Sequence, residues 1–125
     1  MNKNKIAYLA STGLLSLMML LSAGMYVFNY AEISEVFLSL GFPTFIIYPL
    51  AAAKVLGLIA IWTRKSEALK EWAYAGFFFD FALAFSAHIV AQDGEQFGAL
   101  IAMILLGISY FFGRKTFGEV AAEEA

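Results

Sequence analysis

Charged residues in this chain come in short clusters separated by long apolar runs. Residues 6–28 carry no charge. Runs at 45–63, 71–91 and 96–113 follow; the first is broken only by Lys54, the next by Asp80 beyond its leading Glu71, and the last by nothing. A helix rises 1.5 Å per residue, so about 20 apolar residues cross a hydrocarbon core of ~30 Å. The pattern predicts an all-α, integral membrane four-helix bundle with spans over about 6–28, 45–63, 71–91 and 96–113. Short connections make successive spans antiparallel neighbours. The polar start with Lys3 and Lys5, followed by an apolar run ending near Ser22, Ala23 and Gly24, also has the outline of a signal peptide. The run is longer than such a segment needs, which favours a retained span.

The connections carry patterns of their own. Ile33, Val36, Phe37 and Leu40 fall at i, i+3, i+4 and i+7, which predicts a short interfacial helix over about 30–41, the alternative being an irregular loop. Asn29 with Glu32 three residues on reads as a capping box, and Gly41 and Pro43 as the stop. Arg64 to Glu71 reads as a charged hairpin loop with Trp62 and Trp72 as interfacial anchors on either side. Gln92 to Glu95 reads as a tight turn. Residues 114–125 read as a cytoplasmic tail. Lys3, Lys5, Arg64, Lys65, Lys70, Arg114 and Lys115 all fall at one end of such a bundle, while Glu32, Glu35, Asp93 and Glu95 fall at the other. The positive-inside rule then predicts a multi-pass protein with both termini in the cytoplasm.

Composition agrees. Of 125 residues, 62% are hydrophobic and 14% charged, with a mean hydropathy of +0.76. Soluble domains are about half apolar and a quarter charged. No shift in composition divides the chain, so residues 1–125 read as a single domain. Cysteine is absent, which excludes disulfides and thiolate chemistry. One histidine and no cysteine leave no metal motif, and no metal is expected. No basic cluster points to nucleic acid. The expected partners are the bilayer itself and either other membrane proteins or further copies of the chain.

The candidate chemistry lies within the spans. Asp80 sits near the middle of the third and Lys54 near the middle of the second. Intramembrane ionisable groups are costly and call for partners. Antiparallel packing puts the two at similar depth, so they read as a pair. Gly57 and Gly76 supply small residues beside them, through which another helix can approach. Gly76, Asp80, Ala84 and His88 repeat every four residues, a stripe expected to face the other helices, with the neighbouring phenylalanines covering much of the remaining surface. Lys54, Asp80 and His88 are therefore the candidate polar core or ligand site. Three readings stay open: a register-fixing ion pair, a pocket for a lipophile with a polar head such as a quinone, and a proton or ion path. No catalytic residue is indicated, and an enzyme is the less favoured class.

One set of residues carries a family likeness. The run Lys70-Glu71-Trp72-Ala73-Tyr74-Ala75-Gly76-Phe77, continuing through Asp80 to Ser86-Ala87-His88, resembles the signature of the DoxX-like family of small bacterial membrane proteins. Leu40-Gly41-Phe42-Pro43, Ala53-Lys54-Val55-Leu56-Gly57 and Ser109-Tyr110 are similar to it as well. Gly41, Pro43, Gly57, Glu71, Trp72, Tyr74 and Gly76 are the motif positions. The resemblance implies a four-helix bundle in the bacterial cytoplasmic (inner) membrane. It also implies an accessory or quinone-binding subunit of a redox or stress system. A membrane scaffold or assembly factor is the alternative, and a small proton-coupled carrier the second. Classical DoxX members tend to carry an acidic residue in the second span where this chain has Lys54.

Overall fold

A computed structural model describes the backbone of residues 2–124 and the side chains of residues 2–118. Five α-helices and one short 3-10 turn account for nearly all of it, with no strand among the described residues. The helices are α1 (Lys3–Phe28), α2 (Tyr30–Ser39), α3 (Ile47–Thr63), α4 (Glu67–Ala91) and α5 (Gln96–Glu124), and the 3-10 turn at Thr44–Ile46 leads into α3. Four of them are long and apolar enough to cross a membrane: α1, α3 with its leading turn, α4, and α5 as far as Gly118.

These four form a ring. α1 packs on α3 and α5, and α4 packs on the other side of the same two, so each long helix touches two neighbours. The core between them is Leu15, Met19, Leu58, Ile61, Tyr74, Phe77, Phe81, Ala102 and Leu106. The buried residues of α4 are Lys70, Tyr74, Phe77 and Phe81. Their spacing alternates four, three, four, the seam of an antiparallel bundle. This corrects the expectation for α4. The aromatic seam fills the core, and the small-residue stripe through Gly76 and Asp80 lies at the side of it, with Gly76 exposed. Rings bury more apolar area than small residues do, so they take the central position.

Gly57 is where α3 and α4 close up. A Cβ there would come within 2.9 Å of the Phe77 ring, so only a bare backbone fits. α2 forms the connection from α1 to α3 and packs on both. Phe37, its one buried residue, packs edge-on to Tyr26 at 5.4 Å and tilts against Phe42 at 6.0 Å. Gly41, at φ +86, supplies the left-handed step out of α2. Asn29 makes no side-chain cap, so the anticipated capping box is not formed. Asn2 and Ser66 are the side chains that cap, each accepting from the backbone N–H three residues on, at 2.8 and 3.2 Å.

Two boundaries differ from the hydropathy pattern. The hairpin after α3 is residues 64–66 alone. Arg64 ends α3 in the left-handed conformation, Ser66 caps α4, and the charged stretch expected as loop is helix from Glu67 on. α5 likewise continues past Gly113 to Glu124, through the stretch expected as tail. Phe117 there meets Tyr8 of α1 edge-on at 5.3 Å, and the Arg64 guanidinium lies 3.9 Å from the Phe117 ring centre. Charge marks where the bilayer ends, whereas helix ends are set by caps and packing partners.

Candidate functional site

Lys54, 5% exposed, is a buried charge near the middle of α3. Its ammonium donates to Ser22 Oγ of α1 at 2.6 Å and sits 3.9 Å from the centre of the Tyr26 ring. Ser22 and Tyr26 are one helical turn apart, so both face the same point. A desolvated ammonium over a ring face is held by the ring's quadrupole, and the hydroxyl takes one of its three N–H donors. The expected Lys54–Asp80 ion pair is not formed. Among the described residues, every ion pair within 4.0 Å lies elsewhere, at Lys70–Glu67, Lys70–Glu71 and His88–Asp93. Similar position along antiparallel helices does not fix which way a flexible side chain turns. Lysine reaches an uncharged partner at its own level on α1.

Lys54 and Asp80 nevertheless share a cavity. A groove of about 880 Å³ runs between α3 and α4. Lys54 and Asp80 line its inner part, and Lys65, Ser66 and Thr63 line its part near the basic end. Ala53, Gly57, Ala60, Ala73 and Gly76 leave the room for it, while Leu50, Leu56, Ile59, Leu69, Trp72 and Phe77 make its walls apolar. From Ser66 to Asp80 the helical rise gives a length of roughly 20 Å. Asp80 is half-buried, and its carboxyl has no hydrogen-bond partner among the described residues. The groove thus pairs greasy walls with a polar inner end, the usual make-up of a small-molecule site.

His88 belongs to a different place. It lies in the last turn of α4, and its Nδ1 is 2.7 Å from Asp93 Oδ2 in the turn that follows. The backbone N–H of Glu95 donates to the other Asp93 oxygen at 2.9 Å. The His88 bond, and after it the Glu95 N–H, hold the Asp93 carboxyl below its ordinary pKa. His88 does not line the groove. Of the three candidate residues, the structure therefore brings together Lys54 and Asp80 and leaves His88 as the clasp of the α4–α5 turn.

A second polar feature crosses the bundle axis. Ser109 of α5 is fully buried and lies 2.6 Å from Thr12 Oγ1 and 2.7 Å from the Tyr74 hydroxyl. Ser16 accepts from the indole N–H of Trp62 at 2.7 Å and donates to the Thr12 carbonyl at 2.6 Å. All four long helices are stitched by this network. It gives the Tyr74 hydroxyl a buried partner and turns Trp62 from a free interfacial anchor into a hydrogen-bonded one. Lys70 is 3% exposed between Glu67 and Glu71, at 2.7 and 3.6 Å, and is a packed ion-pair centre rather than a loop charge.

A scan against protein-family models matches the DoxX-like family over residues 10–112. The chain belongs to the DoxX-like family. The match covers α1 through most of α5 and takes in both Lys54 and Asp80. No curated protein and no solved structure matches the chain. This DoxX-like protein is thus a multi-pass membrane protein by its family and its four apolar helices. The motif residues can now be placed within it. Gly57 and Gly76 line the groove, Trp72 forms part of its wall, and Tyr74 joins the axial network. Ser22 and Tyr26 carry no motif signal. Only their i, i+4 spacing on α1, opposite Lys54, could have singled them out.

Proposed function

We propose that this DoxX-like protein binds a membrane-dissolved lipophile in the α3–α4 groove, as an accessory subunit of a membrane redox or stress system. The observation that carries this reading is the groove itself. It is apolar along its length, and its inner end presents Asp80 and Lys54 at mid-span. A bilayer-resident molecule enters sideways between the helices, leaves its chain along the walls and brings its polar head to the inner end. A quinone fits this description, with its ring on the apolar wall and Lys54 as the donor to an oxygen. Bound there, it would supply electron and proton exchange. Residence in the bacterial inner membrane with both termini cytoplasmic is part of the same proposal, because the basic residues gather at one end. A reporter fused after Ala125 and active only outside the cytoplasm would overturn that orientation.

Gly76 provides the test. It lines the groove, and a Cβ added there meets nothing within 4 Å. Gly76→Leu should fill the groove without disturbing the bundle. Native mass spectrometry of the purified protein should find a lipophile at one per chain. The adduct should be lost in Gly76→Leu, with thermal stability retained. Protein that carries only bulk phospholipid in both forms would sink the reading.

The placement of Lys54 favours a second reading. Held by Ser22 and Tyr26, it ties α3 to α1 in one register, as buried polar groups do in other bundles. The protein would then be a scaffold for other membrane proteins or for further copies of itself. Under that reading Gly76→Leu leaves the complexes intact and Ser22→Ala weakens them.

A further inference from the structure

Resting on the lipophile-binding reading, we infer that the groove selects a neutral lipid-soluble alcohol or phenol, whose hydroxyl lies between Lys54 and Asp80. Charge comes first. Both residues line one groove, basic Lys54 from α3 and acidic Asp80 from α4, so the pair sums to zero when both are ionised and again when both are neutral. An anionic or cationic head would leave a net charge near mid-bilayer, which membranes penalise strongly.

Hydrogen bonding narrows the class further. Ser22 takes one of three Lys54 N–H groups and the Tyr26 face lies against the ammonium, leaving donor capacity for a ligand oxygen. The Asp80 carboxyl has no partner among the described residues and needs a donor. A hydroxyl both accepts and donates, so it answers both groups with one atom. An ether or an ester accepts only and leaves Asp80 unanswered. Of a quinone couple, the reduced phenol meets both groups and the fully oxidised form meets one. The opening between α3 and α4, walled by Leu56, Leu69 and Trp72, admits the chain of such a molecule from the side.

A matched series separates these terms. The protein in phosphatidylcholine nanodiscs is offered 1-hexadecanol, hexadecyl methyl ether, palmitate or hexadecylamine, and binding is read by native mass spectrometry and by quenching of Trp72 with brominated-chain analogues in a Trp62→Phe background. The expected result is hexadecanol bound at least about tenfold more tightly than the ether, the scale of one hydrogen bond. Palmitate and the amine should also be weaker. Asp80→Asn should lower the alcohol preference and raise palmitate, because Lys54 then has no compensating acid. Lys54→Gln should favour the amine. Alcohol and ether binding equally, or palmitate binding as well as the alcohol in the unaltered protein, would overturn the inference and leave the lipophile site standing. If none of the four binds while circular dichroism shows an intact bundle, the site reading fails and the inference fails with it.

Discussion

Lys54 shows how far one residue's chemistry can be read without its neighbours. That a lysine in an apolar span needs a partner follows from desolvation alone. That the partner is Ser22 with the Tyr26 ring follows from how α1 is rotated, which no residue in the second or third span encodes. A double-mutant cycle distinguishes the two partners. Coupling between Lys54→Met and Asp80→Asn should fall well short of the roughly 3–5 kcal/mol of a direct buried ion pair, while Lys54→Met with Ser22→Ala should couple by about 1 kcal/mol or more, measured by unfolding in mild detergent. A large Lys54–Asp80 coupling would restore the direct ion pair. Asp93 gives a pH prediction. Its carboxyl is held below its ordinary value by His88 and the Glu95 N–H, so the folded state binds that proton less readily than the unfolded chain. Such a group stabilises the fold above the unfolded-state pKa, near 4, and loses the contribution as pH falls through the depressed folded value. Asp93→Asn should therefore be less stable than the unaltered protein at neutral pH, and the gap should close in acid. A gap that stays constant from pH 7 to pH 2 would show that the His88–Asp93 bond contributes nothing through charge.

Among the helices, hydropathy located the four spans, because each is a run of apolar residues whose length is set by the bilayer, and helical periodicity located the short α2. Helix ends were less legible. α4 begins at Glu67 and α5 runs to Glu124, both within charged sequence. Hydropathy measures partition and is silent about caps and late packing. Arg64 illustrates the difference. It closes α3 in a left-handed conformation, and its guanidinium lies 3.9 Å from the Phe117 ring centre and 5.8 Å from that of Tyr8. One side chain thereby binds the α3–α4 turn to the ends of α1 and α5. Phe117→Ala removes the ring from that stack and should cost about 1–2 kcal/mol in thermal or denaturant unfolding. Lys115→Ala, close by but outside the Arg64 stack, should cost under about 0.5 kcal/mol. Equal effects from the two would mean that α5 beyond Gly113 contributes only helix propensity. The face of α4 was legible too, once its aromatic spacing is followed through Tyr74, Phe77 and Phe81 in place of its small residues.

At the scale of the molecule, the ring of α1, α3, α4 and α5 is filled along its axis by Leu15, Met19, Phe77, Phe81 and Leu106. The recess that reaches the two mid-span charges lies at its flank, between α3 and α4. The groove could not be read from the chain, because it is a gap left by Gly57, Gly76 and three alanines once larger neighbours have packed elsewhere. A flank opening changes the units in which this protein's occupancy is counted. A molecule arriving through the lipid is diluted by lipid, and water is only its reservoir. Doubling the lipid in an assay at fixed total ligand should halve occupancy far from saturation, whereas doubling the buffer should leave it nearly unchanged for a ligand that partitions almost wholly into the bilayer. The natural affinity scale of this groove is a mole fraction in a two-dimensional solvent, so enrichment of the ligand in one patch of membrane acts on the protein as a rise in concentration would.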